Sequence, residues 1–250
     1  MLDTRAPWGF GEVIREIITS PEDRAAVWER GYSVIPYAYR RSDANFAREG
    51  SLANSRVVRV ERGPVYDGVL IESELPFLRR IEVEYRLWRE LPWLEVEVRL
   101  DKQAYERYEG LYVAFPFKLE RPRALVHSCD AVFEAETQQL PGTCRDYYAV
   151  QDYAAMVGED GWGAVCPVEA PLMLAGAMNF GRWSDHLRID RACLYSWLAN
   201  NFWYTNFPGY QLGELTFRFA VAAGSGKYDA GHVARIAEAV RVGLSVAGVE

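Results

Sequence analysis

The sequence predicts an all-β protein, a large antiparallel two-sheet β-sandwich with one or two short helices. Three observations carry this. Apolar and charged residues alternate from Arg80 to Leu100, and nine further short apolar segments are separated by Gly, Pro and charged turns. The 250 residues, half of them apolar, also suit one sandwich core, because single β domains run to about 250 residues. The whole chain, 1–250, is therefore expected to be one domain.

Taken in chain order, Ser20, Pro21 and Asp23 supply an N-cap, a first-turn proline and an acidic first turn for a short helix through Glu29. Strands are expected at Val57 to Glu61 and Val69 to Leu75. The clearest signal follows. Ile81, Val83, Tyr85 and Leu87 alternate with Glu82, Glu84 and Arg86, and Leu94, Val96, Val98 and Leu100 alternate with Glu95, Glu97 and Arg99. The break at Arg89 to Pro92 makes this a hairpin with one wet face. Its register sets Ile81 opposite Leu100, Glu82 opposite Arg99 and Arg86 opposite Glu95, and leaves Glu84 facing Glu97.

Further strands are expected at Leu111 to Phe117, Val132 to Glu136, Tyr153 to Val157, Gly163 to Cys166, Leu172 to Ala175, Leu194 to Trp197 and Leu215 to Ala222. Gly224 to Lys227 lacks the spacing of a phosphate loop and is expected to be a turn. Asp229 then caps a helix over about 229–245, with Val233, Ile236, Ala237, Val240 and Leu244 on the face that packs on the sheet.

The charge of -7, with no Lys/Arg cluster, argues against nucleic acid as a partner. No segment has the length and apolarity of a membrane span, and Met1 to Glu12 lacks the basic and apolar regions of a secretory signal. A cytoplasmic protein without membrane contact is expected. Cys129, Cys144, Cys166 and Cys193 match no metal spacing and are expected to be buried thiols.

His127, His186 and His232 form no His-x-x-x-His or His-x-Asp pattern, and Gly-x-Ser-x-Gly is absent, so neither a zinc site nor a serine nucleophile is expected. Glycoside hydrolysis needs two carboxyl groups facing each other across the scissile bond. Asp146, Asp152, Asp185, Asp190 and Glu214 flank aromatic segments, but sequence does not pair them, and each is expected to be a loop cap or surface charge. The run from Asn200 to Gly213 stands apart. Its first nine residues pack three amides, a hydroxyl and four aromatics together. Such chemistry can satisfy sugar hydroxyls and cover a sugar ring, and it can also build a structural corner leading into the strand that follows. Both readings stay open on the residues alone.

This segment, Leu194 to Val221, resembles the C-terminal part of family 38 glycoside hydrolases, the α-mannosidase family, where a pattern like Asn-Asn-x-Trp-x-Thr-Asn-Phe is followed by Gln-x-Gly. Trp8-Gly9-Phe10-Gly11, Gly63-Pro64-Val65, Leu111 to Phe117, Gln139 to Gly142 and Asp146 to Asp152 fit in order, so the resemblance covers about 8–222. It implies a supersandwich similar to galactose mutarotase, placed after the catalytic part of the full-length enzymes. It also implies that zinc and the aspartate nucleophile belong to a separate N-terminal catalytic domain. No cofactor is then expected in this chain, which would be inactive alone and an excised piece, a split-gene product or a stand-alone relative. Carbohydrate and a catalytic domain are the implied partners, with Asn201, Trp203, Thr205, Asn206 and Gln211 as substrate-binding residues. The alternatives are an independent mutarotase- or epimerase-like enzyme and a stand-alone carbohydrate-binding module.

Overall fold

A computed structural model describes residues 2–19, 46–105, 108–202 and 211–242. In chain order the strands are β1 (Val13–Ile18), β2 (Phe46–Gly50), β3 (Ser55–Arg62), β4 (Tyr66–Leu75), β5 (Leu78–Trp88), β6 (Leu94–Lys102), β7 (Glu109–Pro116), β8 (Arg123–Ser128), β9 (Ala131–Glu134), β10 (Tyr148–Ala149), β11 (Ala154–Val157), β12 (Gly161–Pro167), β13 (Leu172–Ala175), β14 (Cys193–Asn200) and β15 (Gly213–Ser225). One helix, α1 (Ala230–Val242), follows.

Among the described residues every strand pairing is antiparallel. Six strands form one sheet in the order β10-β13-β14-β7-β1-β2, and nine form the other in the order β3-β4-β5-β6-β15-β12-β11-β8-β9. The expected two-sheet sandwich is the architecture observed. Its core lies between the sheets, where Val13, Leu111, Val113 and Phe115 of the smaller sheet meet Ile81, Val83, Val96, Val98, Leu100 and Phe219 of the larger one.

The β5–β6 hairpin has the expected register, with Ile81 opposite Leu100, Val83 opposite Val98, Tyr85 opposite Val96 and Leu87 opposite Leu94. Its polar face resolves the opposition of Glu84 and Glu97. Glu84, 3% exposed, accepts from Arg59 at 2.7 Å, Arg86 at 2.5 Å and Arg99 at 2.9 Å, while Arg86 and Arg99 also reach Glu97. Burial works to raise the Glu84 pKa, but Arg86 and the other two arginines outweigh it and lower the value. An unfavourable pair in two strands is thus stabilised by a cation from a third, β3.

Both sheets are also covered on the outside. Residues of the other parity in the smaller sheet, Ile14, Tyr112, Ala114, Tyr195 and Trp197, lie under Met178, Phe180 and Phe202. On the larger sheet, Ala164, Cys166, Ala220 and Ala222 lie under Val233, Ile236 and Ala237 of α1. Asp229 caps this helix as expected, its Oδ1 accepting from the Gly231 and His232 N–H groups at 2.9 and 3.2 Å. Leu244 and the expected helix from Ser20 to Glu29 lie outside the described residues.

Several expectations are corrected. Strands β1, β2, β8 and β10 were not anticipated. Gly224 and Ser225 end β15 rather than forming the turn, which begins at Gly226. Cys129 is exposed rather than buried. It occupies the turn between β8 and β9, where Ser128 pairs with Ala131 and both central residues, Cys129 and Asp130, have positive φ of 52° and 57°. A hairpin tip of this kind has no core to enter. Cys166 and Cys193 are buried, and all four thiols are free.

Candidate functional site

The run singled out in the sequence begins where β14 ends. Asn200 is still paired with Gly110 of β7, and Asn201 then closes a corner. Its N–H donates to the Glu109 carbonyl at 3.0 Å, its side-chain oxygen accepts the Glu109 N–H at 2.5 Å, and Nδ2 donates to the Tyr105 carbonyl at 2.8 Å. The amide therefore substitutes for a sheet partner at the start of β7. Gly110 allows the tight approach: a Cβ there would stand 2.9 Å from the Tyr112 ring and 3.0 Å from Phe202.

A charge cluster is buried beside this corner. Glu109, 2% exposed, accepts from Arg15 Nε at 2.6 Å and lies 2.7 Å from Lys102 Nζ; Arg15 and Lys102 are 3% and 5% exposed. The Arg15 guanidinium also sits over the rings of Phe77 and Tyr105, 5.0 and 4.5 Å from their centroids. Glu49 of β2, 3.9 Å from Arg15 Nη1, brings a second carboxylate to this guanidinium. Buried charges persist only when compensated in this way, so removing one partner strands the rest.

The aromatics of the same region pack on one another. Phe202 stacks parallel to Tyr108 at 6.2 Å and meets Phe180 at 4.7 Å, while Trp197 contacts Phe180 at 4.8 Å and Tyr112 at 5.7 Å. All five rings are buried, so their faces are taken by each other. Of the predicted substrate-binding residues, Asn201 is 5% exposed and held by backbone, Gln211 is exposed, and Trp203, Thr205 and Asn206 lie outside the described residues.

A second polar locus surrounds a cleft of about 260 Å³ lined by Arg145, Asp146, Arg182 and His186. Here Glu136, at a positive φ of 79°, binds the Leu187 N–H at 2.6 Å, His186 Nδ1 at 2.7 Å and Arg145 Nε at 2.8 Å. The Leu187 N–H, then His186 and Arg145, pull its pKa down to about 2. A His and a Glu are thus adjacent, as acid–base catalysis requires, but this carboxylate is fixed as an anion with both oxygens engaged. Four of the five carboxylates considered in the sequence have local roles. Asp146, 1% exposed, accepts the Trp183 N–H, Asp152 lies 3.3 Å from His127 Nδ1, Asp190 pairs with Arg188, and Glu214 pairs with Arg80.

An open groove missed by sequence reasoning lies between α1 and the outer face of the larger sheet. It has a volume of about 630 Å³ and is lined by Trp88, Trp93, Glu95, Arg218, Arg235 and Glu238. Trp88 Nε1 donates to Glu95 at 3.2 Å, which fixes one indole. Nothing in the spacing of these residues relates the hairpin tip to a helix almost 150 residues later. Among the described residues no group of three or more His, Cys, Asp or Glu side chains is placed to hold a metal ion, and no helix is long and apolar enough to cross a membrane.

Against known structures, this architecture overlays a glycosyl hydrolase family 38 protein from Enterococcus faecalis with a TM-score of 0.64 at 11% identity, covering 94% of this chain and 28% of that one. This chain has the fold of a part of that protein. An α-mannosidase from Enterococcus faecalis V583 gives a TM-score of 0.60 at 10% identity, covering 92% of this chain and 27% of that one. The chain therefore spans a little over a quarter of each of these two structures. A putative aldose 1-epimerase from Escherichia coli K12 overlays with a TM-score of 0.37, too low to carry an argument. No family model matches the sequence, and no curated protein does.

Proposed function

We propose that this chain is the non-catalytic β-sandwich part of an α-mannosidase-like glycoside hydrolase of the cytoplasm. In this reading it supports a separate catalytic domain, which carries the zinc and the nucleophile, and contributes Trp203, Thr205, Asn206 and Gln211 to the sugar-facing edge, with Asn201 anchoring the corner that leads into them. The supporting observation is the overlay of nearly the whole chain on a little over a quarter of a family 38 protein, which leaves the greater part of that protein for other work. The corner at Asn201 fits a supporting role, because its amide is devoted to locking β14 against β7. The engaged Glu136 disfavours an independent epimerase built on its pairing with His186.

The experiment is an assay of the purified chain on an aryl α-mannoside, with and without zinc. No chromophore release is expected. Turnover by a homogeneous sample that disappears on substitution of a residue of this chain overturns the reading. Saccharide titration followed by Trp fluorescence then locates sugar contact: Trp203→Ala reports on the motif, and Trp93→Ala reports on the groove beside α1, whose indoles and charged groups offer stacking and hydrogen bonds.

A further inference from the structure

Natural sheets protect their edges by keeping edge strands short, charged or covered. Among the described residues, three of the four sheet edges follow the rule of shortness, since β2, β9 and β10 have five, four and two residues. β3 does not. It has eight residues, terminates the nine-stranded sheet, and is exposed along nearly its entire length. Val57, Val58 and Val60 are 60%, 50% and 62% exposed, which for three valines in four positions of an edge strand is an unsatisfied apolar surface.

The pattern of this edge is self-complementary. Val57 pairs with Ile71 and Val60 with Val69, and a bulge at Val58 keeps Val57 and Val60 on the same face, the one that continues into the core. Arg56 and Glu61 point to the opposite, charged face, in line with Glu72 and Arg86 of the neighbouring strands. If a second copy is laid antiparallel along the edge about a two-fold axis through its centre, Val57 falls opposite Val60, Arg56 opposite Glu61 and Ser55 opposite Arg62. Val57 and Val60 then meet on the same face, the one acidic side chain of the strand meets an arginine, and the bulged Val58 falls opposite Arg59. Arg59, near the axis, is already neutralised by Glu84 at 2.7 Å and Glu61 at 3.8 Å, so two copies of it can approach.

We infer that β3 is an interaction surface for a second copy of this chain, joining two nine-stranded sheets edge to edge. Sedimentation or light scattering of the full chain over about a hundredfold range of concentration should show a monomer–dimer equilibrium. Val60→Lys, at a position too exposed to unfold the protein, should weaken dimerisation about tenfold or more while the thermal melt at low concentration stays unchanged. Arg56→Glu should weaken it by placing like charges opposite Glu61, and Arg56→Glu combined with Glu61→Arg should restore it. That restoration tests the register itself. A monomer at every concentration overturns the inference, as does a dimer indifferent to Val60→Lys or a double variant that fails to recover.

Discussion

Asn201 holds Glu109 by both sides of its backbone, donating its own N–H to the Glu109 carbonyl and accepting the Glu109 N–H on its side chain. Truncating the amide leaves the buried Glu109 N–H and the part-buried Tyr105 carbonyl without this partner. Each such group costs about 1–3 kcal/mol. Asn201→Ala should therefore lower stability by about 2–4 kcal/mol, seen as a reduced urea midpoint with an unchanged slope. A loss within about 0.5 kcal/mol would mean that the corner stands without this side chain.

Gly110 tests the same corner by addition of volume. A methyl group at this position meets Tyr112 and Phe202, both 0% exposed and unable to retreat. Overpacking of this kind costs about 1–3 kcal/mol. Gly110→Ala should lower the urea midpoint accordingly and disturb the near-ultraviolet circular dichroism of the stacked rings.

Glu136 makes stability depend on acid. Its pKa falls from an ordinary 4.5 to about 2 in the folded protein, so the folded state favours the carboxylate. The corresponding stability is fully present above about pH 4.5 and is lost as the pH falls towards 2. Melting temperatures across that window should decline less steeply for Glu136→Gln than for the parent chain. Identical slopes would remove Glu136 as a source of the acid sensitivity.

The thiols should separate by reactivity. Burial pushes Cys166 and Cys193 up to about 12, which keeps them protonated and unreactive, and it raises the half-buried Cys144. Cys129 is exposed at its hairpin tip. An aromatic disulfide reagent should titrate one thiol rapidly in the native protein and all four in urea, and Cys129→Ser should abolish the rapid phase.

The hairpin from Leu78 to Lys102 was legible because its two faces differ in chemistry at every step, so a slip of one residue would bury glutamates. β1 was illegible for the opposite reason. Arg15 and Glu16 are adjacent and both buried, and their partners Glu109 and Arg48 come from strands that only folding brings near. β8 was hidden by its turn, since Cys129-Asp130 adopts backbone angles that Asn-Gly normally announces. At the site, the amides of the Asn200 run were conspicuous in sequence. Their structural reading needed Tyr105 and Glu109, more than ninety residues away. The abundance of aromatics suggested sugar faces, yet five of the rings in this region cover one another.

The layering of the molecule also sets an order of opening. β7 is buried at all eight positions, with the large sheet on one side and the aromatic cluster on the other, whereas β3 is bare along nearly all of its length. In deuterium, amides of the terminal strand should exchange through local fraying, those beneath α1 once the helix lifts, and those of β7 only when the whole molecule opens. The slowest protons in the protein would then belong to the strand whose first residue Asn201 holds in place.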